Sequence, residues 1–228
     1  MFEPLSQALV HGSVLQVVLA YVLCYLICGI PFGLIFSKLF KKTKDLRQTG
    51  SGNIGFTNAL RVNGKTVGVL TLIFDVLKAF ISIKLTAYIL SGALHIERAE
   101  LLGAPYIWVL ALAFVCCIVG HVFSIYLKFK GGKGVAVGLG STLAFIPVTG
   151  LLMLAVFFVA AYVSKKVSVG SIFAALATIP FCFIYSHEIK YVLLCCLIAV
   201  IVVWAHRSNI KRILNGTESS FSLHKQKE

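Results

Sequence analysis

The sequence predicts an all-α integral membrane protein of seven hydrophobic helices, forming one polytopic domain over residues 1–228, with the N-terminus outside and the C-terminus cytoplasmic. Three observations carry that expectation. Mean hydropathy is +0.94 and 59 % of the residues are hydrophobic, outside the range of an ordinary soluble domain. Several apolar runs reach the ~20 residues that a helix needs to cross a ~30 Å hydrocarbon core. Basic residues collect on alternate connections: of 21 lysines and arginines, all but Lys78, Lys84, Arg98 and Lys190 fall in segments assigned to one side. The rule that cytoplasmic loops are positive then orients the chain.

The first span is read as Val14–Phe36, with Gly29–Gly33 as a kink or close-packing point. Glu3 is the only charge before it, and the run is too long for a signal-peptide core, so it reads as a retained span. The connection from Ser37 to Lys65 holds seven basic residues (Lys38, Lys41, Lys42, Lys44, Arg47, Arg61 and Lys65) against Asp45, and is read as a cytoplasmic loop. Thr66–Leu90 is the second span. It contains Asp75 and Lys78, three apart on one helical face and able to pair, with Lys84 free to snorkel or face the bundle. Charge within a span points to function, although a polar seam between helices explains the pair equally well.

Ser91–Pro105, with Glu97 and Glu100 against Arg98, suits the outside. The third span is Tyr106–Leu127. Val135–Val163 is awkwardly long, and as one helix it would reverse the charge pattern. It is read instead as two short helices of about 14 residues, turning at Pro147–Gly150 and each too short to cross fully. Val169–Tyr185 and Tyr191–Ala205 complete the seven, with Ser186–Lys190 as an outside turn and His206–Glu228 as a basic inside tail. The net charge of +13 is explained by these loops and by anionic headgroups, without nucleic acid. All seven cysteines lie in apolar runs and read as small buried hydrophobes, with no metal-ligand spacing.

Four inside segments carry more than generic charge. Thr49–Arg61 (T-G-S-G-N-I-G-F-T-N-A-L-R) combines Ser51, Asn53, Asn58 and three glycines with a terminal Arg61, a pattern that suits backbone and guanidinium contacts to phosphate. Lys128–Gly134 places Lys130 and Lys133 around Gly131 and Gly132 before a helix, like a phosphate cradle of exposed N–H groups and ammoniums. It lacks the spacing of a nucleotide P-loop. Lys165–Ser171 brings Ser168 and Ser171 to a helix start, where capping and ligand binding are both open. His206–Arg212 puts His206 and Asn209 on one helical face, with a membrane-surface helix as the plainer reading. Together the four offer many cations, hydroxyls and amides and almost no carboxylate, an inventory suited to phosphorylated, amphiphilic substrates. Transport of a phosphorylated metabolite predicts midplane polar elements and repeats that the sequence does not show. A headgroup-binding scaffold leaves Ser, Asn and His unexplained.

Ser51–Arg61, Gly120-His121-Val122-Phe123 with Lys128–Gly134, and Val167–Ser171 resemble the signature motifs of the bacterial, acyl-phosphate-dependent (PlsY-type) membrane glycerol-3-phosphate acyltransferases. The span order, the Asp75/Lys78 pair and the His206–Asn209 tail extend the resemblance over nearly the whole chain. Phe56 and Ser124 depart from it, standing where alanine and proline are expected. The resemblance implies a multi-pass protein of the bacterial inner membrane that transfers an acyl group from acyl phosphate to the 1-hydroxyl of glycerol 3-phosphate. The products would be lysophosphatidic acid and inorganic phosphate, the first step of phospholipid synthesis. It implies no metal, no cofactor and no protein partner, with membrane lipids as the surroundings.

Lys133, Arg61, His206 and Ser51 are then the expected catalytic residues. Asn58, Ser171, Asn209, Gly131, Gly132, Asn53 and Lys130 are expected to hold substrate. Preorganised donors around a departing phosphate are worth on the order of 2.7–4 kcal/mol each. His206 as general base, His206 as phosphate ligand, and proton transfer to a substrate phosphate all remain open at this level.

Overall fold

The computed structural model describes residues 13–220; Glu3, Lys225 and Lys227, which entered the topology argument, lie outside the described residues. Among the described residues all regular structure is helical. Helices α1 (Val14–Gly29) and α2 (Phe32–Leu39) cover the stretch predicted as the first span and are bent by 42° to one another. The cause is Pro31, which has no N–H and disfavours helical geometry at Ile30. Two carbonyls freed at the break are used by distant residues. Ser124 Oγ donates to Gly29 O at 2.7 Å, and Lys78 Nζ donates to Ile30 O at 2.7 Å. Ser124, a departure from the expected motif, thus fastens the kink.

The connection from 40 to 55 leads into a short helix α3 (Phe56–Asn63), which the sequence reading had as loop. Its apolar side packs on α2 and on α4 (Lys65–Leu94), the 30-residue second span. At 1.5 Å per residue α4 is roughly 45 Å long. Helix α5 (Ile107–Val122) lies at the centre: 72 % of its apolar window is buried, against 17 % for α7 at the periphery. Helices α1 and α9 pack on α5, and Gly120 lets α1 approach until a Cβ there would overlap Tyr25 O.

The long apolar run is broken at Ile146, before Pro147, into α6 (Val135–Phe145) and α7 (Pro147–Ser164). A break was expected, but the halves are unequal. α6 has 11 residues and is too short to cross, whereas α7 has 18 and is long enough. Gly140 seats α6 directly on the α4 backbone at Val76 O. Helices α8 (Val167–Tyr185) and α9 (Ile189–Ala205) follow, with Glu188 capping α9 by accepting the Tyr191 N–H at 2.9 Å. α10 (Arg207–Leu214) leaves α9 at 57°, with His206 at the bend. Among the described residues four helices are long and apolar enough to cross a membrane, and six if each bent pair counts as one span.

Candidate active site

The glycine-rich opening loop is held from inside by Asn58, which is 1 % exposed. Its Nδ2 donates to Leu46 O, Thr49 O and Asn53 O at 3.0, 3.0 and 2.8 Å, and its Oδ1 accepts the Ser51 N–H at 2.9 Å. Gly50, at φ 68°, completes the turn, since a Cβ there would strike Asn58 Oδ1. Asn58 is therefore the staple of this loop, and Ser51 and Asn53 are two of the residues that it places. Asn63 repeats the device further along α3, donating to Ser37 Oγ at 2.8 Å and Lys44 O at 3.3 Å. Arg61 is exposed at the loop's edge and lines a cavity of about 370 Å³ with Lys42 and Lys44.

The other three clusters meet in one chain of hydrogen bonds. Lys133 Nζ donates to Asn209 Oδ1 at 2.5 Å, and Asn209 Nδ2 donates to Glu218 Oε1 at 2.7 Å. Ser168 Oγ donates to the same Oε1 at 2.6 Å, while Arg212 Nε donates to Oε2 at 2.7 Å. The glycine loop, the start of α8 and the tail helix α10 are thus joined through side chains that lie far apart in the sequence. Burial first, then the charges of Arg212 and Arg61 set against Glu218, bring Lys133 down to about 8. Arg61 is joined to that chain by no hydrogen bond; its charge is the smallest of the influences on Lys133.

The sequence pattern of the glycerol-3-phosphate acyltransferase family matches residues 18–216. The chain belongs to that family. A protein named glycerol-3-phosphate acyltransferase from Trichlorobacter lovleyi is 44 % identical over 177 residues, covering 78 % of this chain and 84 % of its own. One of the same name from Bacillus subtilis is 38 % identical over 174 residues, covering 76 % and 82 %. Among solved structures, the integral membrane acyltransferase PlsY (YgiH) in its glycerol 3-phosphate form superposes with a TM-score of 0.75. It has 32 % identity, with 92 % of this chain and 96 % of that one covered. Its lysophosphatidic acid form gives a TM-score of 0.74 at 31 % identity, covering 90 % and 95 %.

Several expected residues of this acyltransferase stand differently from the sequence reading. The N–H groups of Gly131 and Gly132 do not point outward as a cradle, because they donate to Val122 O at 2.9 Å and His121 O at 3.0 Å. Both glycines press on the end of α5 so closely that a Cβ on either would overlap His121, its carbonyl for Gly131 and its ring for Gly132. They shape the loop and swing Lys133 toward Asn209. Lys130 is exposed and makes none of those hydrogen bonds. Ser168 and Ser171 do not cap α8. Ser168 faces Glu218, and Ser171, buried, donates to Val167 O at 3.0 Å.

His206 is buried at the α9–α10 bend. Its Nδ1 lies 2.8 Å from Val202 O, a group that only accepts, so the proton sits on Nδ1 and the lone pair on Nε2. Burial lowers its pKa to about 4 despite the Val202 bond, with the nearby Lys133 charge acting in the same direction. The imidazole is consequently neutral at pH 7.

Sequence reasoning missed Glu218. It described the site as almost free of carboxylate, yet Glu218 is its organising acceptor. Burial opposes its ionisation, but bonds from Ser168, Asn209 and Arg212 outweigh burial and hold it below the usual carboxylate range. The available signal was an isolated acid, four residues past α10, in a basic tail.

Proposed function

We propose that this protein transfers a fatty acyl group from acyl phosphate to the 1-hydroxyl of glycerol 3-phosphate at the cytoplasmic face of the bacterial inner membrane. The bond between the acyl carbon and the phosphate oxygen breaks, and an ester to the glycerol oxygen forms. Lysophosphatidic acid and inorganic phosphate leave. The observation that supports this reading best is the Lys133–Asn209–Glu218 chain with Ser168 and Arg212, which gathers three separated motifs around one ammonium.

Acyl phosphate is a mixed anhydride, so stabilising the departing phosphate lowers the barrier without an acyl-enzyme. Lys133 and Arg61 supply the charge for it, the first partly buried and oriented, the second exposed and free to close on an arriving anion. Ser51, Asn53 and Ser171 are assigned to substrate, while Asn58, Gly131, Gly132 and Asn209 act by fixing those that touch it. The proton of the attacking hydroxyl has two acceptors, Nε2 of His206 and an oxygen of the departing phosphate. Membrane lipids surround the site. The seven-segment topology with the N-terminus outside is part of the same reading, since it puts the basic loops in the cytoplasm.

The test is direct. Purified protein in detergent, given acyl phosphate and glycerol 3-phosphate, forms lysophosphatidic acid and inorganic phosphate in equal amounts, and acyl-coenzyme A does not replace acyl phosphate. Folded protein that yields no product refutes the assignment.

A further inference from the structure

Inside the bundle, Asp75, Lys78 and His121 form a buried charged group that the reaction described above does not use. Lys78 Nζ lies 2.7 Å from Asp75 Oδ1 as an ion pair, donates to Ile30 O at 2.7 Å, and stands 3.1 Å from His121 Nδ1. One ammonium thus joins α4, the break between α1 and α2, and the end of α5. Charge withdrawn from water inside an apolar bundle is costly, and apolar residues of similar volume would pack there as well or better. Stability alone gives no reason for the pair.

What the pair does fix is a ring. The χ2 torsion of a histidine is broad, so packing sets its orientation only loosely. A lysine paired with a carboxylate has no lone pair, so Lys78 donates and His121 Nδ1 accepts, which leaves the ring proton on Nε2. The same histidine carries the glycine loop. Its carbonyl accepts the Gly132 N–H at 3.0 Å, beside the Gly131 N–H to Val122 O bond at 2.9 Å. The Gly132 backbone lies so close to the ring that a Cβ there would overlap Nε2. The next residue is Lys133, whose Nζ donates to Asn209. Contacts therefore run without a gap from Lys78, through the His121 ring and Gly132, to the ammonium of the site. A ring that turned would push on Gly132 and carry Lys133 with it.

We propose that Lys78, held by Asp75, is a positioning residue for the reaction: it sets the His121 ring against which Gly132 rests, and so the place of the Lys133 ammonium. The inference rests on the acyl transfer proposed above, in which Lys133 faces the departing phosphate.

The test replaces the pair by apolar residues. Asp75→Leu/Lys78→Met strands no charge, so its unfolding midpoint in detergent should stay or rise. Its kcat should nonetheless fall about ten- to a hundred-fold, the cost of a displacement of about 1 Å at a reacting group, with KM changed less. NMR of lysine-labelled protein, with the Lys133 signal assigned by its loss in Lys133→Ala, follows that ammonium without any need for turnover. In the wild type it is brought down to about 8 by burial and by Arg212 and Arg61, against Glu218, with the neutral His206 also near. In the double variant its titration should move up toward the ordinary lysine value of about 10.4, as Lys133 leaves that desolvated place. Wild-type kcat, or an unmoved Lys133 titration, overturns the proposal.

The wild-type protein supplies the second arm, which stands even where the double variant does not fold. Nitrogen NMR of histidine-labelled protein, assigned by loss of the signal in His121→Gln, should show an Nε2-protonated His121. An Nδ1-protonated ring shows that Lys78 is not its donor and breaks the path to Lys133. Absence of all turnover in the wild type counts against the proposed reaction, while the Lys133 titration and the His121 tautomer still decide the role of Lys78.

Discussion

Replacing Asn58 by aspartate keeps the shape of the side chain and the acceptor for the Ser51 N–H, and changes one group from NH2 to oxygen. In the native loop that NH2 serves three backbone carbonyls, Leu46 O, Thr49 O and Asn53 O, at 3.0, 3.0 and 2.8 Å. Two hydrogens shared among three acceptors count as two good bonds, each worth about 1 kcal/mol net. The substitution also leaves three carbonyls facing another oxygen, at a position 1 % exposed where solvent gives no relief. Protonation of the introduced carboxyl recovers one donor at most.

The loss is therefore about 3 kcal/mol, or a fall of roughly 6–12 °C in the unfolding midpoint for a chain of this size. Asn58→Leu, which removes the Ser51 bond as well, should be no better. Thermal unfolding followed by tryptophan emission in detergent measures the first effect. The KM for the phosphorylated substrates measures the second, because Ser51 and Arg61 lose their support. An Asn58→Asp protein within about 1 °C of wild type, turning over normally, would refute the assignment of Asn58 as the staple of this loop.

Lys133→Ala should lose at least about a hundred-fold in kcat/KM with its midpoint unchanged or raised, since the lysine is held in a desolvated place that disfavours its charge. With Lys133 near 8 in the free protein, kcat/KM should fall as pH rises through about 8, where the ammonium is lost; a profile flat to about pH 10 contradicts its role as the main cation. His206, at about 4, is neutral above about pH 5, so a base role predicts no loss of rate between about pH 8 and 5.5 from this group. A limb near 6.5 that disappears in His206→Asn contradicts it. Glu218→Gln keeps one acceptor but loses the charge facing Arg212 and should cost about 1.5–3 kcal/mol, read as a lower midpoint, with a larger KM as Asn209 and Lys133 lose their anchor.

What was legible in the sequence, and what was not, follows from the range of each interaction. Spans and breaks were readable because hydropathy and proline act locally: Pro31 and Pro147 end helices by the missing N–H at their own positions. Helix α3 was hidden because its eight residues have little net apolar character, and the Asn58 and α4 contacts, not propensity, make it helical. The Lys128–Gly134 motif was visible, but not that its glycine N–H groups are taken up by the end of α5. That depends on His121 and Val122 arriving from another element. Ser168 and Ser171 looked alike in sequence and differ in the fold because only Ser168 meets Glu218.

The same contacts keep the site from being driven apart by its own charge. Lys133, Arg212 and Arg61 repel one another, and Lys133 is lowered by both neighbours. Glu218 offsets part of that repulsion while keeping both oxygens engaged, Oε1 with Ser168 and Asn209 and Oε2 with Arg212. Lys133 is left touching a neutral amide oxygen rather than a carboxylate. A direct Lys133–Glu218 pair would have to be broken before phosphate could bind, at the cost of stranding a half-buried charge. The Asn209 amide placed between them holds the ammonium in position by a bond that an incoming dianion readily outcompetes. The same arrangement explains why Asn209→Asp carries a penalty: a carboxylate there would neutralise Lys133 and face Glu218, weakening substrate binding and the tail contact together.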